Sequence, residues 1–204
     1  LQDADKRNAI AFNPTKEIWL NKSGGELAKQ LAEELNSNGY KTRLVARNVK
    51  SNDKLAALIL IAENKTDKQG LLDAFTLMQT GSASLKKSKG LLVSITTLGG
   101  RFGFDGNIKG SVEQSGLCGL IKTADKEWDD VSCKSIDIDS SPQSTSLLHE
   151  EIFLEGPLET GLVDGKLLQL TLKEEAIDEP QSQPTLLNDE DLIVISGGAR
   201  GVTA

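Results

Sequence analysis

The chain has 204 residues, 38% hydrophobic and 26% charged, with a formal net charge of −7 and a pI near 4.9. That balance suits a globular domain with one sizeable core and offers no basic face to nucleic acid. The longest strongly apolar run, Leu55 to Ala62, is far short of the roughly 20 residues a membrane helix needs. Nothing at Leu1 resembles a signal peptide, and Cys118 and Cys133 have neither metal-type spacing nor a disulfide framework, which fits a reducing, cytoplasmic setting.

Residues 1–15 are polar apart from Ala9 to Phe12 and read as a lead-in or linker. Ile18, Trp19 and Leu20 make a first buried strand. A helix follows, with Ser23 and Glu26 at capping-box spacing, Leu27, Leu31 and Leu35 on one face, and Asn38 and Gly39 at its end. Lys41 to Ala46 is the next strand. Strand, helix and strand within so short a span make the crossover unit of a doubly wound parallel sheet.

The pattern repeats. Leu55 to Ala62 is the continuous apolar run of a strand covered on both faces. Thr66 and Gln69 offer a second capping box, ahead of the stripe Leu71, Leu72, Phe75 and Met78. A polar stretch, Gly81 to Lys89, leads into the strand Gly90 to Thr97. Then comes a glycine-rich loop, Gly99 to Gly110, interleaved with Phe102 and Phe104. Ser111 with Gln114 caps a third helix, whose face carries Leu117, Ile121, Ala124 and Trp128. Ser132 to Asp139 is a fifth strand, and Ser141 with Pro142 opens a fourth helix through Leu147, Leu148 and Ile152.

The rhythm then changes. Leu158 to Val163 and Lys166 to Leu172 flank Asp164-Gly165, a two-residue turn that joins antiparallel strands. Residues 174–190 are acidic, with Pro180 and Pro184, and read as a linker. The last stretch, Asp191 to Ala204, runs DLIVISGGARGVTA. It reads as a buried strand, Leu192 to Ile195, feeding a glycine-rich phosphate turn whose helix is missing, as expected of a chain cut at a domain boundary. The fold expected is therefore α/β: a truncated Rossmann-like, mostly parallel sheet with an appended β-hairpin.

Groups able to do chemistry are few. A dinucleotide site would need an open glycine turn directly after Leu20. The chain has NKSGGE there, with Gly24 and Gly25 inside the first helical turn and no third glycine. The loop 99–110, with Arg101, stands where parallel sheets bind ligands, or packs against a neighbouring domain. His149, the single histidine, precedes Glu150 and Glu151 and reads as a solvated face. Asp137 and Asp139 alternate with Ile136 and Ile138 and read as a polar strand end rather than a metal site.

Two blocks carry a resemblance. GLCGLIKTADKEWDDVSCKSIDID, from Gly116 to Asp139, with TTLGGRFGFDG before it, is similar to the ketoreductase region of polyunsaturated fatty-acid synthases and related iterative type I polyketide synthases. There a helix ending in Glu and Trp precedes a strand of the form C-K-x-x-D, and SGGARGVTA completes the pattern. The resemblance implies two halves of short-chain dehydrogenase descent. The first is a non-catalytic structural subdomain; the second binds NADPH and reduces a 3-oxoacyl chain carried on an acyl carrier protein.

By that resemblance, residues 16–173 are the structural subdomain and 191–204 the first strand and turn of the catalytic one. Gly197, Gly198, Ala199, Arg200, Gly201 and Val202 map onto the cofactor turn, while Thr203 stands where a third glycine is usual. The family's catalytic tyrosine and lysine, four residues apart, have no counterpart, since Tyr40 is followed four residues later by Leu44. The expectation is a scaffolding piece without catalytic residues, metal or bound cofactor of its own, whose partners are the catalytic subdomain and other synthase domains. Two alternatives stay open: a piece of a stand-alone short-chain dehydrogenase-like enzyme, and a small-ligand-binding α/β module using the 99–110 loop.

Overall fold

Alternation of apolar residues along the strands decides the layers. In a computed structural model, which describes residues 7–62, 66–106, 108, 110–174, 187, 188, 190–192 and 194, Leu1–Leu170 forms one compact unit and Thr171–Ala204 another. The first contains β1 (Glu17–Asn21), α1 (Gly25–Ser37), β2 (Lys41–Val45), β3 (Leu55–Ile61), α2 (Lys68–Ser88) and β4 (Leu91–Thr96). It continues with α3 (Ser115–Glu127), β5 (Ser132–Ile138), α4 (Pro142–Glu151), β6 (Glu159–Val163) and β7 (Lys166–Gln169). One sheet runs β2-β1-β3-β4-β5-β6-β7. Every pairing is parallel except β6 with β7.

Side chains of a strand point alternately to the two faces, and each face is covered by helices. Ile18, Leu20, Ile59, Val93 and Ile136 pack with Leu31 and Leu35 of α1 and Leu148 of α4. Trp19, Leu58, Leu60 and Leu92 pack on the other face with Leu77 of α2 and Ile121 of α3. This is the doubly wound, Rossmann-like layout expected from the sequence. It is truncated on one side: β2 is an edge strand, and residues 46–54 cross to β3 without a helix, with Val49 packed against the second core. The order β2-β1-β3-β4-β5 puts the topological switch point between β1 and β3.

Several local expectations are corrected. The Ser23–Glu26 capping box is not made: Lys22–Gly24 is a 3-10 turn, Gly24 precedes α1 without a side-chain cap, and Ser23 Oγ accepts instead from Asn21 Nδ2 at 2.8 Å. The second box fails likewise, because Asp67, one residue later than Thr66, caps α2 by accepting from Gly70 N at 2.9 Å. Gln114 does not cap α3. Its carboxamide oxygen takes the Thr97 N–H at 2.9 Å, while Ser111 caps only the 3-10 turn before the helix.

The polar stretch from Gly81, given no element in the sequence reading, makes the last two turns of α2. Gly81 and Ser84 form its inner face, where small size lets the helix lie close to β3: a Cβ on Gly81 would meet Leu55 Cδ2 at 2.8 Å, and Ser84 Oγ donates to Leu55 O at 3.1 Å.

The segment read as a lead-in contributes to the core. Ile10 N–H donates to Phe153 O at 2.7 Å, and Phe12 stacks on Phe153 with ring centroids 5.1 Å apart. Ser141 caps α4 by accepting from Ser144 N, with Pro142 in the first turn, as the sequence implies. Asp164 and Gly165 take φ of 48° and 71°, the left-handed pair that a two-residue hairpin turn requires.

In the second unit, Asn188 and Asp191 close a turn in which Asn188 N donates to Asp191 Oδ2 at 2.8 Å. Leu192 and Val194, expected in a strand, are exposed and carry no strand pairing among the described residues; Ile193 and Ile195 lie outside them.

Candidate functional site

The carboxyl ends of the parallel strands are where such a sheet can hold a ligand, and two places there deserve description. At the switch point, β1 ends in Asn21, which is buried. Its Oδ1 accepts from Ile61 N at 2.7 Å and its Nδ2 donates to Ile61 O at 2.9 Å and to Ser23 Oγ at 2.8 Å. The side chain thus continues the strand ladder across the crevice between β1 and β3. Gly24 then packs against β3, its missing Cβ only 2.7 Å from Ile61 Cβ. What is left is a cleft of about 150 Å³ lined by Asn21, Ser23, Thr66 and Asp67. The carboxylate of Asp67 already occupies the start of α2.

The second place is the glycine loop after β4. Asp137 of β5 is fully buried beneath it. The carboxylate accepts from Thr96 Oγ1 and Leu98 N at 2.7 Å each, from Phe102 N at 2.8 Å, and from Gly100 N. Burial pushes the Asp137 carboxyl above its ordinary value, and these donors hold it only partly back. Beside it, Ser94 and Ser135 share a hydrogen bond of 2.9 Å in the interior. A pocket of about 300 Å³ lies between this loop and the hairpin, lined by Arg101, Phe102, Phe104, Leu168 and Leu170 among others. Arg101 stands 3.8 Å from Asp105.

The remaining sequence candidates are placed as follows. Gly197, Gly198, Ala199, Arg200, Gly201, Val202 and Thr203 lie outside the described residues. Tyr40 is an aromatic core residue, stacked 4.9 Å from Phe153 and 6.1 Å from Phe12. His149 Nδ1 sits 2.9 Å from Glu34 Oε1, a contact that joins α4 to α1. Asp139 accepts from Ser141 N, Ser141 Oγ and Asp164 N, tying α4 and the hairpin turn to the end of β5. Burial raises the Cys118 thiol and pushes Cys133 up to about 12, so neither is a ready thiolate near neutral pH. Trp128 closes α3 against the core with Lys86 Nζ 5.1 Å from its ring.

Three important side chains escaped the sequence reading. Asn21 has no role there beyond opening NKSGGE, and Asp137 reads as a polar strand end. Lys134 is the third: on β5 it is almost fully buried, 2.5 Å from Glu151 Oε1, and donates at 2.7 Å to the carbonyls of Glu151 and Leu154. Arg7 grips the same carboxylate with both guanidinium nitrogens, at 3.0 and 2.6 Å. The available signal was the C-K-x-x-D pattern itself, because a lysine and an aspartate inside a buried parallel strand must each have a partner.

The sequence matches no protein-family model and no curated protein. Solved structures with a similar chain path include UDP-N-acetylglucosamine 4-epimerase from Bacillus cereus, at 9% identity and a TM-score of 0.39, covering 61% of this chain. Another is the adenylation, ketoreductase and pseudo Asub multidomain structure of a keto acid-selecting NRPS module, at 13% identity and a TM-score of 0.47, covering 79% of this chain. The chain spans 53% of the epimerase and 17% of the module. The class rests on the molecule's own topology: a Rossmann-like α/β domain whose sheet is parallel but for its last strand.

Proposed function

We propose that this chain is the structural, non-catalytic subdomain of a ketoreductase in a multidomain polyunsaturated fatty-acid or iterative polyketide synthase of the cytoplasm. In this reading residues 16–173 form the scaffold and 174–190 a linker. Residues 191–204 open the catalytic half, which takes NADPH at Gly197–Val202 and reduces a 3-oxoacyl chain presented by an acyl carrier protein.

The observation that carries the reading is the Asn21 side chain bonded to both main-chain groups of Ile61. A pyrophosphate at the switch point needs free N–H groups on an open turn. Here the turn is packed on Ile61, with the Cβ position of Gly24 only 2.7 Å from Ile61 Cβ, which supports a switch point without that open turn. A sheet and both helical layers kept while the crevice is bridged by Asn21 suit a part retained for packing. Leu72 and Phe75 on α2, 48% and 44% exposed, give it apolar surface to bury against a neighbour.

Calorimetric titration of NADPH into the purified chain is the test. No saturable binding is expected; saturation at micromolar cofactor would sink the scaffold reading. Co-expression with the polypeptide that follows Ala204 in the parent should then give a stable complex with reductase activity.

A second reading, a small-ligand module, is favoured by the 300 Å³ pocket beside the glycine loop. It requires that a small molecule protect residues 100–105 from exchange in the isolated chain.

A further inference from the structure

One carboxylate pins the glycine loop at three successive points. The N–H groups of Leu98, Gly100 and Phe102 all donate to Asp137, while Thr96 Oγ1 fixes the carboxylate from β4. Between the pins the backbone takes φ of 109° at Gly99, 78° at Gly100 and 53° at Phe102. Glycine adopts such values freely; a phenylalanine is strained there and stays only where its surroundings hold it.

The same stretch is pressed onto the sheet. A Cβ on Gly161 of β6 would lie 2.1 Å from Gly100 O, and one on Gly100 would lie 2.3 Å from Leu162 O. Backbone therefore rests directly on backbone, with the Val163 side chain beside Gly100.

Past the last pin, turn hydrogen bonds, Asp105 and the contact of Gly103 with Ile108 make the arm's own attachments among the described residues. The arm from Arg101 to Gly106 has two turn hydrogen bonds, Phe104 N to Arg101 O at 3.0 Å and Gly106 N to Gly103 O at 3.1 Å. It also has the 3.8 Å Arg101–Asp105 pair. Phe104 is 78% exposed at its tip. This arm forms one wall of the pocket whose other wall is Leu168 and Leu170.

We propose that Asp137 is a latch and the Arg101–Gly106 arm a lid: the carboxylate holds Gly99–Phe102 down on β6, and loosening it frees the arm to lift and open the apolar pocket. The inference is independent of the ketoreductase reading, since it concerns only contacts within this unit. The opened space, between Phe102, Phe104, Leu168 and Leu170, takes an apolar group.

The test is amide hydrogen exchange on the whole chain, comparing wild type with Asp137→Asn, alongside the fluorescence of anilinonaphthalene sulfonate as an apolar probe. Asparagine keeps the shape but sets an NH2 group against N–H donors. The amides of Leu98 and Phe102 should exchange about tenfold faster or more while those of β3 are unchanged, and probe fluorescence should rise. Equal protection of Leu98 and Phe102 in both proteins would overturn the proposal. So would a uniform loss of protection across the sheet, which would make Asp137 a strut for the fold.

Gly161→Ala attacks the same device from the sheet side and leaves Asp137 intact. It should loosen Arg101–Gly106 while Leu98 stays protected; an arm as protected as in wild type would count against a lid.

Discussion

Asn21 carries both main-chain hydrogen bonds of Ile61 on a single side chain, accepting from its N–H at 2.7 Å and donating to its carbonyl at 2.9 Å. A carboxamide has one acceptor oxygen and a donor NH2 on one plane, so it imitates the next peptide of the ladder. The sheet is thereby extended by one rung at the place where a doubly wound fold normally opens for a ligand. Bridging that crevice is the work of one residue type, since a carboxamide alone pairs with both main-chain groups of Ile61.

Asn21→Ala leaves a buried N–H and a buried carbonyl without their partner. The expected cost is about 1–3 kcal/mol, read as a lower urea midpoint at unchanged slope. An unchanged midpoint would show that Ile61 finds other partners.

Lys134→Met removes one of the two cations, the more buried one, from a carboxylate that is itself buried and that Arg7 still holds. Breaking such a pair from one side costs about 3–5 kcal/mol, and here two carbonyls at the end of α4 lose their donor as well. Lys134→Met with Glu151→Leu should be less destabilised than the sum of the single variants, since neither Lys134 nor Glu151 is then left buried without the other, while Arg7, 21% exposed, loses its carboxylate in both variants that lack Glu151. Strict additivity in a double-mutant cycle would argue that the pair is not coupled.

Asp139 gives the chain an acid-sensitive joint. Burial alone would raise its carboxyl, but donors from Ser141, Asp164 and Ser144 outweigh it and take the group down to about 2 from the ordinary 3.8. A folded-state value below the unfolded one stabilises the fold above the unfolded value, and that contribution is lost as pH falls through the folded one. Denaturation midpoints measured from neutral pH downward should therefore show a loss between about pH 4 and pH 2 that Asp139→Asn lacks. A parallel decline in both proteins would assign the acid sensitivity to other carboxylates.

Gly81→Leu tests why α2 is read so poorly from its composition. The new side chain would have to pass Leu55, whose Cδ2 is 2.8 Å from the missing Cβ. Overpacking should destabilise by about 1–3 kcal/mol despite the better helix propensity of leucine. Gly81→Ala should cost far less, because only the end of the Leu55 side chain must shift. Equal midpoints for the two variants would mean that the helix slides away from β3 without penalty.

The elements legible in the chain are those that signal locally. Leu27, Leu31 and Leu35 recur at helical spacing, Ser141-Pro142 has the chemistry of a helix start, and Asp164-Gly165 has the backbone freedom of a hairpin turn. Each works through neighbours a few residues away, and each element forms as expected. The end of α2 was hidden because glycine and serine ordinarily mark loops; here they make the close face of a helix, which depends on how near β3 lies. Two of the three expected caps that failed did so for a related reason. Ser23 and Gln114 have the right spacing, but Asn21 and Thr97 engage them first.

Within the candidate site, the glycine loop and its place after β4 were visible in the sequence, and the C-K-x-x-D pattern marked the strand beneath it. The sequence alone determines the alternation of strand and helix, the hairpin turn and the lack of an open glycine turn after Leu20, because all of these are properties of short segments. Only the tertiary structure decides what Asn21, Lys134 and Asp137 do. Their partners are 40 residues away at Ile61, 17 at Glu151 and 35 at Phe102. A buried polar group takes its meaning from the acceptor or donor that folding delivers to it, and no local spacing encodes which one that is.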